Sequence, residues 1–132
     1  MAEEVEISGR ALVIRFPPSD PEAVLRRAGK EHRRDGHYGV SVFADVKRGQ
    51  EDDDALVARL LEVSGLAGME PGRNPKYYRC QTAQELLDRG FAFMKDREDG
   101  ELTEHYCVSL GVAPSVQDAG RFLEPFGPVE AR

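Results

Sequence analysis

The feature that most restricts how this chain can fold is a six-residue string that occurs twice. His37-Tyr38-Gly39-Val40-Ser41-Val42 and His105-Tyr106-Cys107-Val108-Ser109-Leu110 agree at four of six positions and are aliphatic at the sixth in both. Their aromatic and β-branched residues favour an extended backbone. In a strand, successive side chains point to opposite faces. Tyr38, Val40 and Val42 therefore share one face, and His37, Gly39 and Ser41 the other. In the second copy Tyr106, Val108 and Leu110 are set against His105, Cys107 and Ser109. Two such strands side by side would bring two imidazoles and two hydroxyls to one sheet face, in a chain with only three histidines.

Punctuation residues around the two strings give the remaining elements. Residues 11–16 are an apolar run halted by Pro17 and Pro18, which have no N–H to donate to a ladder. Asp20 offers a helix cap, Pro21 suits the first turn and Glu22 complements the dipole. That helix runs into a basic block at 26–34 and stops before Gly36, and residues 37–44 follow as a strand. A second helix starts at Asp52 or Asp53, places Leu56, Val57, Leu60 and Leu61 at helical spacing and ends at Gly65. Residues 66–75 read as an irregular connection and 76–80 as a short strand. Thr82 and Glu85 have the spacing of a capping box for a short helix closed by Gly90. Residues 91–95 form a strand, 96–100 a charged turn and 104–111 the strand of the second copy, close enough to its predecessor for a hairpin. Ser115 with Asp118 opens a last helix, ended by Pro125 and Gly127.

The expected fold is thus α/β in the α+β sense, a single mixed sheet of about five strands packed with three to four helices. A length of 132 residues, 40% of the chain being hydrophobic, fits a single domain over 1–132 with loose ends at about 1–9 and 126–132. No apolar run approaches the ~20 residues that cross a bilayer, so no membrane association is expected. The start Met1-Ala2-Glu3-Glu4 lacks the basic and apolar parts of a secretory leader. The expectation is a cytoplasmic protein with Cys80 and Cys107 reduced. Arginine outnumbers lysine, and alanine and glycine are frequent, a composition that fits a bacterial source.

The net charge of −6 argues against broad, non-specific binding to nucleic acid. It fits instead an acidic interaction domain, antitoxin-like or immunity-like, that masks a basic protein. The charge is uneven, however. The block at 26–34 could meet phosphate or an acidic partner, although cations at a helix C-terminus are also favoured by the dipole alone.

The paired histidines give a second, enzymatic expectation. One imidazole can accept a proton from a nucleophile while another donates to the leaving group. His37 and His105 are the catalytic candidates, with Arg15, Ser41, Ser109, Tyr38 and Tyr106 as substrate-binding residues. Rings within about 7 Å of each other could both reach one substrate. The pattern partly resembles the two-histidine phosphoesterases, in which two pseudo-symmetric lobes each supply a His-apolar-Ser/Thr-apolar strand. That resemblance implies cleavage of nucleotide or RNA phosphodiesters, RNase-like, toxin-like or RNA-processing, without a cofactor. In that family a hydroxyl lies two residues after each histidine, where this chain has Gly39 and Cys107. Ser41 and Ser109 lie two residues further on.

Other constellations carry less. Arg15 with Ser41 and Glu101 or Glu104 resembles the Arg…Ser…Glu scheme of ADP-ribosyltransferase-like proteins, which implies NAD as substrate. The hallmark Ser-Thr-Ser is replaced by Val40-Ser41-Val42, and an edge-strand arginine paired with an acidic neighbour is the simpler expectation. Cys80, His105, Cys107 and His37 are zinc-type donors, but no Cys-x-x-Cys pair exists and no metal is expected. Tyr77-Tyr78 could stack a base, or divide between core and surface.

Overall fold

The computed structural model describes residues 2–66, 76–96 and 103–131. Seven strands and four helices appear in chain order: β1 (Ala2–Glu4), β2 (Leu12–Arg15), α1 (Pro21–Asp35), β3 (Gly39–Asp45), α2 (Asp53–Leu66), β4 (Lys76–Cys80), α3 (Ala83–Asp88), β5 (Ala92–Asp96), β6 (His105–Ser109), α4 (Val116–Leu123) and β7 (Glu130–Ala131). The strands form one sheet in the order β1-β5-β6-β3-β2-β4-β7, and every neighbouring pair is antiparallel. The α+β class is as expected, but the sheet is antiparallel throughout where a mixed one was expected, and it has seven strands where about five were expected. The two extra strands come from the chain ends expected to be loose: β1 lies beside β5 and β7 beside β4. The predicted connection at 66–75, the charged turn at 96–100 and Glu101 fall mostly or wholly outside the described residues.

Two cores sandwich the sheet, which explains why the central strands are apolar on both faces. Ala11, Val13, Val42, Ala44, Phe93 and Val108 face one side, where they meet Val24 and Ala28 of α1, Leu86 of α3 and Phe122 of α4. Leu12, Ile14, Phe16 and Phe43 face the other side and pack under Leu56, Val57 and Leu60 of α2. Phe16 and Phe43 meet edge to face at 6.4 Å.

The helix ends show which local signals were sufficient. The Asp20 carboxylate accepts from the Ala23 N–H at 3.1 Å, Pro21 occupies the first turn, and Gly36 closes α1 at φ 84°, in the left-handed region that glycine tolerates. Ser115 and Asp118 form a full reciprocal capping box on α4. At α3 the expected box does not form. Thr82 sits at the cap without a side-chain hydrogen bond, and Glu85 instead takes the Cys80 thiol at 3.1 Å. A buried sulfhydryl beside the carboxylate outcompetes the helix terminus.

At the far end of β3, Arg59 of α2 ties helix to sheet. Its guanidinium donates to Glu51 and Asp45 carboxylates at 2.7–2.9 Å and to the Val46 carbonyl at 3.1 Å. Hydrogen bonds from Arg59 and from the Arg48 N–H hold the Glu51 carboxyl well below the usual carboxylate range, at about 2. No helix among the described residues is long and apolar enough to cross a membrane.

Candidate functional site

The two copies of the repeated string are neighbours, and their register decides what they can do. β3 and β6 pair antiparallel with Val40 opposite Val108, Ser41 opposite Cys107 and Phe43 opposite His105. Val40 and Val108 are equivalent positions of the repeat, so a local two-fold axis passes between them. Equivalent residues then diverge with distance from that axis. Residue 43, opposite His105, is six residues from His37, which is about 20 Å along a strand. The His37 ring, however, folds back over Gly39, and His105 reaches Ser41 two residues along the same face, so both imidazoles approach one stretch of β3.

The symmetry instead sets each serine diagonally from the histidine of the other copy. One such pair forms: Ser41 Oγ and His105 Nε2 are 2.7 Å apart. The His105 ring stacks on Phe43 with centroids 5.0 Å apart and planes 28° apart, so the core orients it. The other pair does not form. The Ser109 hydroxyl accepts from the Gly111 N–H, and the His37 ring folds over Gly39. A Cβ at residue 39 would lie 3.1 Å from His37 Nε2 and 3.3 Å from the Cys107 Cβ. The space where the resembled family carries a hydroxyl is thus filled by the histidine itself, whose ring nitrogens are buried without hydrogen-bond partners.

Arg15 occupies a different environment from the one expected. β2 lies inside the sheet, between β3 and β4, and Arg15 is only 2% exposed. Its guanidinium lies over the rings of Tyr78 at 4.4 Å and Phe126 at 4.9 Å, and Nη1 donates to the Pro18 carbonyl at 2.6 Å. Nε has no partner, and none of the ion pairs among the described residues uses Arg15. The acidic neighbour expected for it is missing. Burial pushes its pKa down to about 10.

This unpaired charge lines a cavity of about 360 Å³, together with Arg27 and Lys30 of α1 and residues 39–41 of β3. The cavity exists because β2 ends early. The β2–β3 ladder stops at Ile14 opposite Phe43, and Pro17 and Pro18 turn the chain away. Backbone direction then matters. The Ala44 N–H donates to the Glu104 carbonyl and the Leu110 N–H to the Tyr38 carbonyl, so even-numbered residues of β3 address β6. Gly39 and Ser41 accordingly turn their backbone N–H and C=O groups toward the side that β2 has vacated. A second cavity of about 420 Å³ shares Pro17, Pro18, Arg27 and Lys30 with the first and extends to Arg26. Arg26, Lys30 and Arg33, at helical spacing and all exposed, continue this basic wall along α1.

Of the residues expected at a site, Arg15 and Ser41 both border the first cavity, but the Ser41 hydroxyl and His105 lie on the Phe43 face of β3, opposite the α1 face that carries Arg15. Tyr38 stacks on His32 at 4.2 Å, Tyr106 packs against Phe93 under the Lys95 ammonium, and Ser109 caps a strand end. None of these three lines the cavity. Arg27 and Lys30 were not singled out individually, although the basic block containing them was visible. The zinc set does not assemble either. Cys80 lies in the core under the helices α1, α3 and α4, whereas His105 stacks on Phe43 on the opposite face. Among the described residues no three His, Cys, Asp or Glu side chains form a metal-holding group. Burial and the Glu85 hydrogen bond push the Cys80 thiol up to about 12, which keeps it protonated and a poor nucleophile. Comparison with known proteins finds no matching family model, no matching curated protein and no matching solved structure.

Proposed function

We propose that the protein binds a phosphate-bearing ligand of the nucleotide or RNA-end class in the notch between β2 and β3, with α1 as its basic wall. The observation that carries this reading is Arg15, a buried cation in no ion pair among the described residues, lining a cavity in which Arg27 and Lys30 outnumber the one acid, Glu31. A buried charge is costly unless paired, and a ligand anion would supply the missing partner. Arginine is well suited to phosphate, since its planar fork donates to two oxygens. Arg27, Lys30 and the backbone N–H groups of Gly39 and Ser41 supply further donors from two sides. The alternative of an acidic domain that masks a basic protein draws on the net charge of −6, but the cavity wall has the opposite sign.

Calorimetric titration tests the proposal with inorganic phosphate, a nucleoside, its 5′-monophosphate, and a short RNA with and without a 5′-phosphate. A hydrogen bond to a charged group contributes about 1.5–3 kcal/mol, so removing the phosphate should weaken binding by more than about tenfold. Equal affinity for nucleoside and nucleotide, or no binding by any of them, would remove the basis for a phosphate site.

A further inference from the structure

We infer that the ligand of the notch carries two adjacent phosphoryl groups, the first held at Arg15 and the second seated in the neighbouring cavity against Arg26. The inference rests on the notch being a phosphate site and names the class of phosphate ligand it takes. The two cavities adjoin, because Pro17, Pro18, Arg27 and Lys30 line both. Arg15 borders the first of them and Arg26 the second.

Helical spacing creates this arrangement. Arg26 and Lys30 are one turn apart on the outer side of α1, about 6 Å along its axis. Arg27 stands between them and the buried Val24 and Ala28, which face the sheet. The cations therefore run in a series from the buried Arg15 outward to Arg26. Because Arg27 and Lys30 serve both cavities, they suit two phosphates linked to each other better than two independent anions.

The charges along this series are left open for a ligand. Arg26, Arg27 and Lys30 are exposed and enter no ion pair among the described residues, although Glu22 lies one turn before Arg26. Elsewhere the chain neutralises its arginines, Arg59 with Asp45 and Glu51, Arg79 with Glu130 and Arg89 with Glu124. Arg15, Arg26, Arg27 and Lys30 against Glu31 leave a net +3 among the side chains lining the joined cavities. A terminal phosphate carries about two negative charges at neutral pH, and a linked second phosphate adds about one. A single phosphate at Arg15 would leave the outer cations uncompensated. Two sources share the required chemistry: the diphosphate of a nucleotide, and the first two phosphates of an RNA 5′ end.

Calorimetric titration of the full chain with inorganic phosphate, adenosine 5′-monophosphate, adenosine 5′-diphosphate and a 5′-phosphorylated adenosine dinucleotide tests this. The diphosphate, the dinucleotide or both should bind about tenfold tighter than the monophosphate, the worth of one added charge-assisted hydrogen bond. A gain for the diphosphate alone identifies a nucleotide diphosphate, and a gain for the dinucleotide identifies an RNA end. Arg26→Gln, at an exposed position, should weaken the favoured ligand about threefold to fivefold and the monophosphate far less. Arg33→Gln, which removes the same charge from outside both cavities, should have the smaller effect on the favoured ligand. Equal affinity for ligands with one and two phosphates, or an equal loss for both in Arg26→Gln, would overturn the second subsite and leave the notch standing. No binding by any of the four would bring down the notch itself.

Discussion

Arg15→Met is expected to eliminate phosphate binding and, in the same protein, to raise the melting temperature by several degrees. Both effects come from one buried charge. Lowering the guanidinium pKa from its ordinary value to about 10 corresponds to about 3 kcal/mol of penalty for keeping Arg15 charged. The group is 2% exposed, so solvent screening offsets little of this. Methionine removes the penalty, keeps comparable length, and lays its sulfur against Tyr78 and Phe126. The opposing loss is the donor to the Pro18 carbonyl, about 1 kcal/mol. A net gain of about 1–2 kcal/mol remains.

The sign with pH follows from the same shift. The folded-state pKa lies below the unfolded value, so the wild-type penalty is fully present below about pH 10 and is relieved as pH rises from there toward the ordinary guanidinium value. The advantage of Arg15→Met should shrink over that interval. Ligand should also reverse the ranking. At a hundred times its Kd a phosphate ligand stabilises the wild type by about 2.7 kcal/mol and does nothing for the variant. Thermal melts with and without phosphate check this directly, and a variant that is less stable than wild type without ligand would contradict it.

Phe43→Ala carries the largest expected cost to stability, about 3–5 kcal/mol by analogy with other buried aromatic truncations. Phe43 is 1% exposed, meets Phe16 edge to face and belongs to the cluster under Leu56 and Leu60, so its loss opens a cavity between sheet and α2. It also releases the His105 ring from its stack and with it the orientation of the Ser41 contact. Phe122→Ala, in the opposite core, serves as the comparison. Urea denaturation should find both variants similarly destabilised, while the NMR signals of the His105 ring move only in Phe43→Ala. Unchanged His105 signals in Phe43→Ala would mean that the stack does not hold the ring.

The regular elements were legible where local chemistry decides them. Asp20, Pro21 and Gly36 bracket α1, and β4 occupies the short strand at 76–80 that the sequence marks. The two edge strands were not legible. Ala2-Glu3-Glu4 has no apolar alternation, and its strand exists because β5 offers a ladder across from residues 94–96. β7 likewise depends on β4, with Glu130 held by Arg79 at 3.1 Å. Such strands are products of tertiary pairing and leave little local trace.

At the site the limits are geometric. That His and Ser share a face of each copy could be read from strand period. The direction of pairing could not, and antiparallel pairing about Val40 and Val108 brings Ser41 of one copy to His105 of the other. Arg15 was recognisable as a charge inside an apolar run. That its strand would be interior, and that α1 would supply Arg27 and Lys30 in place of an acid, depended on sheet order.

A titration of isotopically labelled protein with inorganic phosphate, followed by amide and arginine side-chain NMR, tests the phosphate site most directly. Binding in the notch predicts saturable shifts at the backbone N–H groups of Gly39 and Ser41 and at Arg15 Nε, together and with one Kd. Shifts confined to the exposed Arg26 and Arg33, or no saturable change at Arg15, would contradict it.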